Sequence, residues 1–162
     1  MKNNDLIYRN ILFESDKRVL VALVEQTGFF YPCEIEVIEE LIQAYLDQGE
    51  DSGYQFIIAE EDAIPVGLSC YGKNPCTKFV FDLYWLVVAK TEQNKGIGKV
   101  LLTQTEKSVI KQGGRSIYVE TSGKPLYKNT RAFYERMNYI HLASFDDFYD
   151  QNDAKWIYRK IF

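Results

Sequence analysis

The sequence predicts an α/β domain in which a mixed sheet carries helices on both faces. The first observation is the order of the predicted elements, β-α-α-β-β-β-α-β-α-β-β, which interleaves strands with helices. The second is a strand–helix–strand unit in residues 78–121, whose connection is by default a right-handed parallel crossover. The third is composition: 162 residues, 46% hydrophobic and 26% charged, indicate one domain over residues 1–162 with a sizeable core.

Apolar periodicity and breaker residues define the elements of the first half of the chain. Gly28 is a typical helix stop, and Pro32 suits the first turn of the helix that follows it. Residues 61–63 link two strands as a hairpin. The predicted elements are a strand at 6–13, a helix capped by Ser15 or Asp16, a helix at 33–48, and strands at 54–61 and 64–71.

The second half begins with the most apolar strand of the chain. Residues 78–88 are rich in β-branched and aromatic side chains and are too apolar for an edge strand. A polar turn with two glycines separates this strand from a helix that ends near Gln112. The remaining predicted elements are a strand at 116–121, a helix at 129–137, and strands at 139–145 and 155–161 around a polar segment, 146–153.

Charge is distributed unevenly along the chain, although the net charge is only −4. Residues 19–72 contain 11 acidic residues and no Lys or Arg, whereas residues 73–162 contain 15 Lys or Arg against 9 acidic residues. One interpretation is that the later half faces a polyanionic ligand and the earlier half a cationic one. The alternative is that most of these charges are only solvated surface. A nucleic-acid partner is not expected, because the overall charge is negative and no basic run interleaved with aromatic residues occurs.

Several classes of protein are excluded by what the sequence lacks. No run of 18 apolar residues occurs, so no membrane span is expected, and residues 1–5 are not followed by a signal-peptide apolar region, which makes the cytoplasm the default. Cys33, Cys70 and Cys76 show no metal-ligand spacing. His141 is the single histidine, so neither a multi-histidine metal site nor a His-based triad is expected.

The turn after the apolar strand has the composition of an anion-binding loop. Gly96 and Gly98 have no Cβ, so a ligand can approach their main-chain N–H groups closely. These groups open a helix, where the first N–H groups lack intrahelical acceptors and the helix dipole favours anions. Such a cradle binds phosphates. The alternative is that the glycines only tighten a strand-to-helix turn.

Two motifs, together with the element order, relate the chain to a known family. Gln93-x-x-Gly96-x-Gly98 fits the pattern (Gln/Arg)-x-x-Gly-x-(Gly/Ala), and Asn129-x-x-Ala132-Phe133-Tyr134-Glu135 fits an asparagine-to-tyrosine helix. Over essentially its whole length the sequence resembles the GNAT superfamily of acyl-CoA-dependent N-acyltransferases. It departs at Lys90, where many members have proline, and at Asn138, where glycine is usual; asparagine also tolerates positive φ.

The resemblance implies a mostly antiparallel sheet of about seven strands, flanked by four helices, whose central parallel pair splays around CoA. Acetyl-CoA would lie between the strand ending at Val88 and the strand ending at Thr121. Lys95 and Lys99 could instead be only solvent-exposed, and Asn129 could be only a helix N-cap. The implied CoA-binding residues are Leu86, Val87, Val88, Gln93, Asn94, Lys95, Gly96, Ile97, Gly98, Lys99, Asn129, Phe133 and Tyr134.

Acyl transfer to an amine requires a base, a donor to the carbonyl oxygen, and an acid for the departing thiolate. By resemblance Tyr134 is the acid, and Tyr127 is a weaker candidate for the same role. The alternative is that Tyr134 serves only as a packed core aromatic. The base is Asp82, Glu120 or water, and this choice stays open, since either carboxylate could act through water or only orient the acceptor. An ion pair is the structural alternative for Asp82. A main-chain N–H near Val88, where the family has a strand bulge, would bind the oxyanion.

The acceptor side is expected to combine aromatic and acidic residues, which suit a cationic amine. Tyr84 shares one strand face with Asp82. Aromatic pairs such as Phe148-Tyr149, followed by Asp-Ala, are similar to those of the ribosomal-protein N-terminal alanine acetyltransferases. The implied acceptor-side residues are Phe29, Phe30, Tyr31, Glu34, Tyr84 and Tyr149.

The implied function is N-acetyl transfer from acetyl-CoA to a small-molecule or peptide amine, directly in a ternary complex and without a cysteine acyl-enzyme. Two rival functions are a protein N-terminal or lysine acetyltransferase and a CoA-binding sensor without turnover. The protein is expected to be a monomer or a homodimer.

Overall fold

The computed structural model describes residues 6–162 and contains seven strands and four α-helices; residues 1–5, on which the expectation about a signal peptide depends, lie outside the described residues. The α-helices are α1 (Asp16–Thr27), α2 (Pro32–Gln48), α3 (Ile97–Lys111) and α4 (Lys128–Arg136). The strands are β1 (Leu6–Arg9), β2 (Gln55–Glu61), β3 (Ile64–Lys73), β4 (Val80–Val88), β5 (Ser116–Ser122), β6 (Ile140–Asp150) and β7 (Asp153–Ile161).

The seven strands form one sheet in the order β1-β2-β3-β4-β5-β7-β6. The pairs β1–β2, β2–β3, β5–β7 and β6–β7 are antiparallel, whereas β4 and β5 are parallel. The β4–β5 connection is α3, as the strand–helix–strand pattern predicted. The predicted fold class, a mostly antiparallel sheet with one parallel pair and four helices, is confirmed.

The described chain divides into two compact units. The first unit comprises the chain up to Gly72 together with Trp85–Lys107, and the second comprises Lys73–Tyr84 together with Ser108–Phe162. Both β4 and α3 continue from one unit into the other. The assignment of residues 1–162 to a single domain stays a prediction.

The core of the first unit is formed where α1 and α2 pack against strand residues. Apolar residues recur along each helix at three- and four-residue spacing, so each helix buries one stripe. Gly28 has a φ of 71° and ends α1 in the left-handed conformation, as predicted. The fully buried residues of this cluster include Leu20, Val24, Ile38, Ile42, Ile58 and Leu68.

The start of α1 differs from the sequence-based expectation. Strand β1 ends at Arg9 rather than near residue 13, and Ser15 makes no side-chain capping hydrogen bond. The carboxylate of Asp16 instead accepts a hydrogen bond from the Phe13 N–H at 2.7 Å and pairs with the Arg9 guanidinium at 2.8 Å. This ion pair joins the last residue of β1 to the first residue of α1.

Gly67 of β3 allows α3 to approach the sheet closely. A Cβ at this position would lie 3.1 Å from the Val87 carbonyl oxygen and 3.2 Å from Leu101 Cδ1. Ile97, the first residue of α3, lies 3.5 Å from the same point and is buried. The glycine therefore determines where the N-terminus of α3 sits in the first unit.

We expect Gly67→Val to lower the free energy of unfolding by about 1–3 kcal/mol, because the added methyl groups overpack this contact. Urea denaturation measures the change. Ile64→Ala is the matched control on the same strand: Ile64 is exposed, so its loss should change stability by no more than about 0.5 kcal/mol. Equal stability of Gly67→Val and the native chain would show that the contact tolerates a side chain.

The second unit packs α4 against one face of β7. The Tyr134 ring lies 6.1 Å from the Tyr158 ring, and the Arg131 guanidinium lies 4.9 Å from the Trp156 ring. Trp156 and Tyr158 share a strand face, since alternate side chains point the same way. Asn138 follows α4 with a φ of 65°, the positive value that asparagine tolerates at this position.

The prediction that residues 146–153 form a polar segment outside the strands was wrong. Strand β6 continues to Asp150, which pairs with Asp153, and the register between Phe145 and Asp150 is irregular. Nearly all side chains of β6 are exposed at the sheet edge, so polar residues carry no burial penalty there. The Asn152 N–H donates to the Asp147 carboxylate at 2.6 Å and stabilises the turn.

Within the described residues, no helix combines the length and the apolar character needed to span a lipid bilayer.

Candidate active site

The glycine loop lies in the first unit between β4 and α3 and has the backbone geometry of an anion cradle. Asn94 and Gly96 have positive φ values of 63° and 86°, which turn successive peptide groups toward one side. Residues 93–96 are exposed. The first N–H groups of α3, from Ile97 to Lys99, have no intrahelical acceptors.

Side chains within the loop fix this conformation. The Gln93 amide donates to the Val88 carbonyl at 3.1 Å, which closes the loop back on the end of β4. Lys95 and Glu92 form an ion pair at 2.7 Å; the contact lowers the pKa of Glu92 and raises that of Lys95. Ile97 anchors the start of α3 in the core. The loop is therefore preorganised while its main chain stays accessible.

The geometry fits a diphosphate group. A Cβ built on Gly96 meets no atom within 4 Å, so the space beside its main chain is open. Lys99 is exposed in the first turn of α3 and adds a positive charge near the amide groups. An open, glycine-lined helix N-terminus with a neighbouring cation is a typical phosphate site.

One main-chain N–H group next to the end of β4 already donates a hydrogen bond within the protein. The Ala89 N–H donates to the Val66 carbonyl at 2.8 Å, which leaves that amide out of oxyanion stabilisation. The implied CoA-binding residues alternate in burial here: Val87 is buried, while Leu86 and Val88 are partly exposed. The expected donor near Val88 stays a prediction.

The aromatic segment before α2 is divided between core and surface. Phe30 packs on Trp85 with ring centroids 4.7 Å apart and belongs to the core of the first unit, whereas Tyr31 is exposed and Phe29 is partly exposed. The Glu34 carboxylate accepts a hydrogen bond from the Tyr31 N–H at 2.8 Å and so caps α2. Phe30 and Glu34 thus have structural roles whatever else they contact.

In the second unit, Asp82 lies on the face of β4 opposite its buried residues. Phe81 and Leu83 are buried, while Asp82 is half-buried and Tyr84 is exposed on the same side. The Asn74 amide donates to Asp82 Oδ2 at 2.6 Å. Burial raises the pKa of Asp82, an effect that the Asn74 hydrogen bond opposes and the charge of Glu120 reinforces.

Glu120 lies on the neighbouring strand, on the same face as Asp82. In the parallel ladder Asp82 pairs with Tyr118, two residues before Glu120, so the two carboxylates point to one side. The Lys155 ammonium of β7 lies 2.7 Å from Glu120 Oε1. The Lys155 side chain is only 15% exposed, whereas that of Glu120 is 53% exposed. One oxygen of Glu120 is therefore held by a partly buried cation.

Tyr134 is the buried residue of α4 and stands in an aromatic cluster. Its ring lies 5.5 Å from Phe133 and 5.7 Å from Tyr139, and the residue is 5% exposed. Burial raises the pKa of Tyr134, so its hydroxyl stays protonated throughout the neutral range. A protonated phenol is the form that an acid catalyst requires.

The loop between β5 and α4 is fixed by polar contacts that the sequence did not indicate. The Arg131 guanidinium donates to the carbonyls of Ser122 and Lys124 at 2.7 and 2.9 Å. The buried Asp153 carboxylate accepts from the Ser122 hydroxyl and pairs with the Lys124 ammonium at 3.3 Å. A Cβ on Gly123 would lie 2.7 Å from the Trp156 indole nitrogen, so this position requires glycine.

Asn129 is not the N-cap of α4. The helix begins at Lys128 with Tyr127 in the capping position, so Asn129 is its second residue. The alternative that Asn129 serves only as an N-cap was therefore wrong. Its side chain is exposed and remains available to a ligand.

Three residues with evident roles were missed by sequence reasoning. Gly67 positions α3, Asn74 holds Asp82, and Lys155 holds Glu120. Asn74 precedes Pro75, a dipeptide that is typical of a break between strands and gives no sign of a contact with Asp82. Strand alternation places Lys155 and Ile157 on one face, but the pairing of β7 with β5 was needed to bring Lys155 to Glu120.

Comparison with known proteins decides the family. The model of the acetyltransferase (GNAT) family matches residues 20–139. The chain belongs to the GNAT acetyltransferase family. A crystal structure of a GNAT-family protein from Desulfovibrio desulfuricans has a TM-score of 0.94 and 39% identity, over 97% of this chain and 99% of that chain.

Two more distant structures share the GNAT fold. One is an aminoglycoside 6'-N-acetyltransferase complexed with coenzyme A (TM-score 0.78, 19% identity, 96% of both chains). The other is the ribosomal-protein-S18-alanine N-acetyltransferase from Escherichia coli (TM-score 0.77, 14% identity, 97% of this chain and 94% of that chain). A comparison with curated protein sequences found no significant match.

Membership of the GNAT family makes the protein an acyl-CoA-dependent acetyltransferase that uses acetyl-CoA. The family resemblance, the enzyme class and the cosubstrate predicted from the sequence are thus confirmed.

Proposed function

We propose that the protein transfers an acetyl group from acetyl-CoA directly to a primary amine of a small molecule or a peptide. The exposed glycine loop carries this proposal. Its positive-φ residues, Asn94 and Gly96, and the first amides of α3 form a preorganised cradle for the diphosphate of the cosubstrate. Acetyl-CoA supplies a thioester carbonyl, and the transfer then requires an amine, a base, a donor to the carbonyl oxygen and an acid.

The two carboxylates of the second unit have different surroundings, which suggests different roles. Asp82 is half-buried and its pKa is raised above the ordinary carboxyl value, which is the direction that makes a carboxylate a stronger base. Glu120 is exposed and pairs with the Lys155 ammonium, so its carboxylate lies where an ammonium group from solvent can reach it. We assign proton removal to Asp82 and acceptor binding to Glu120.

The protonated hydroxyl of Tyr134 completes the assignment as the acid for the departing thiolate. Cys33 and Cys76 are exposed, and Cys70 is buried with its pKa well above the ordinary value, which disfavours its thiolate. In the proposed reaction the amine attacks the thioester directly and no cysteine carries the acetyl group.

Amine-dependent thiol release tests the proposed function. The purified protein is incubated with acetyl-CoA and an amine panel: spermidine, an aminoglycoside, an alanine-initiated peptide and a peptide with an internal lysine. Thiol release with spermidine or the aminoglycoside supports the proposal, and mass spectrometry identifies the acetylated nitrogen. Release confined to the alanine-initiated peptide would favour the rival protein N-terminal acetyltransferase. Tight CoA binding without release by any amine would favour the sensor function, and acetylation confined to internal lysine would favour a lysine acetyltransferase.

The pH dependence of kcat/KM tests the choice of base. A base acts in its ionised form, so kcat/KM should fall as the pH drops through the pKa of Asp82, which burial raises above the ordinary carboxyl value. We expect Asp82→Asn to abolish this acidic limb and to lower kcat by about 100-fold. Glu120→Gln should keep the limb and raise KM. If Glu120→Gln lost the acidic limb and Asp82→Asn kept it, Glu120 would be the base and the assignment of Asp82 would be wrong.

A further inference from the structure

Lys155 of β7 is held by two groups that together recognise an ammonium ion. Its Nζ lies 2.7 Å from Glu120 Oε1 and 4.3 Å from the centroid of the Phe148 ring. A carboxylate and an aromatic face are the two kinds of group that attract cationic amines in proteins. The protein's own lysine thus occupies a cradle whose chemistry suits a primary ammonium on an alkyl chain.

The two groups that hold Lys155 are more exposed to solvent than the lysine itself. The Glu120 side chain is 53% exposed and Phe148 is 55% exposed, whereas the Lys155 side chain is 15% exposed. Phe148 lies in the irregular part of β6 between Phe145 and Asp150, where the ladder to β7 is interrupted. Tyr149 packs edge-on against Phe148 with ring centroids 5.2 Å apart, which widens the aromatic surface.

We propose that Glu120 and Phe148 form a binding subsite for a primary alkylammonium group, which Lys155 occupies when no such ligand is present. The ligand displaces the flexible lysine side chain and takes over its contacts with the carboxylate and the ring. The inference rests on the proposed function in taking this ligand to be the acceptor amine. It makes Lys155 an internal competitor that weakens acceptor binding.

The test uses n-butylamine, which as n-butylammonium reproduces the chemistry of the lysine side chain. Its dissociation constant is measured by NMR titration of the full-length protein with CoA present. Lys155→Met removes the competing charge while keeping most of the side-chain volume. We expect this variant to bind n-butylammonium about fivefold more tightly than the native protein, the scale of a partly exposed ion pair.

Two further variants make the result specific. Lys160→Met removes the same charge from the same strand on its opposite face, and we expect its affinity for n-butylammonium to match that of the native protein. The double variant Glu120→Gln/Lys155→Met should lose the increase in affinity for n-butylammonium that Lys155→Met gives. Affinity that is unchanged in Lys155→Met, or raised equally in Lys160→Met, would overturn the subsite.

A kinetic measurement links the subsite to the acceptor. If n-butylamine is not itself acetylated, it should inhibit the Lys155→Met variant competitively against the best amine of the panel. In the same variant the KM of that amine should fall while kcat is unchanged. A lower kcat at constant KM would show instead that Lys155 positions Glu120 for catalysis. If the native protein releases no thiol with any amine, the proposed function fails, and the titration still decides whether the subsite exists.

Discussion

Gly98→Glu should raise the dissociation constant of CoA by at least about 100-fold while leaving the protein folded. Gly98 is the second residue of α3, so a glutamate there places bulk and negative charge beside the amides that bind the diphosphate. The same carboxylate interacts favourably with the helix dipole, which protects the stability of α3. Isothermal titration calorimetry with CoA measures the affinity, and a thermal melt checks the fold.

The control for this variant is Gly98→Ala, which adds a methyl group without charge. The family motif allows alanine here, so we expect CoA affinity within about threefold of the native value. A Gly98→Glu protein that binds CoA with native affinity would show that the diphosphate does not lie on this loop.

Tyr134→Phe should lower kcat by about 100-fold and change CoA affinity by less than about twofold, because it removes one hydroxyl and keeps the ring. The ring packing with Phe133 and Tyr139 does not need the hydroxyl, so the fold is retained. Steady-state kinetics at saturating acetyl-CoA separates kcat from KM.

Tyr158→Phe is the matched control in the same aromatic cluster. The Tyr158 hydroxyl donates to the Glu135 carboxylate at 3.1 Å, and burial with this contact raises its pKa to about 12. Loss of that bond should lower stability by about 1 kcal/mol and leave kcat unchanged. Full activity of Tyr134→Phe would remove Tyr134 as the acid.

The features that the sequence predicted well are local ones. The glycine loop is encoded by adjacent residues, since Gly96 supplies a positive φ and the apolar run before it forms β4. Gly28 and Asn138 are local signals of the same kind, because glycine and asparagine readily adopt the positive φ found at the end of a helix. The order of the elements followed from apolar periodicity together with the Gly and Pro residues that break it.

The features that the sequence missed depend on pairing between distant segments. Lys155 meets Glu120 only because β7 lies beside β5, and 35 residues separate the two in the chain. The extension of β6 was missed because its residues near Asp147 have a polar composition typical of a loop, whereas an exposed edge strand does not need a buried face. The direction in which the pKa of Asp82 shifts could not be predicted from the sequence, because it depends on the burial of the carboxylate and on its neighbours.

A crystal structure of the protein with acetyl-CoA tests the central claim most directly. The account predicts that diphosphate oxygens lie within about 3.2 Å of main-chain nitrogens in the segment from Gln93 to Lys99. Density for the cosubstrate at another place on the protein, with these amides contacting only solvent, would contradict it.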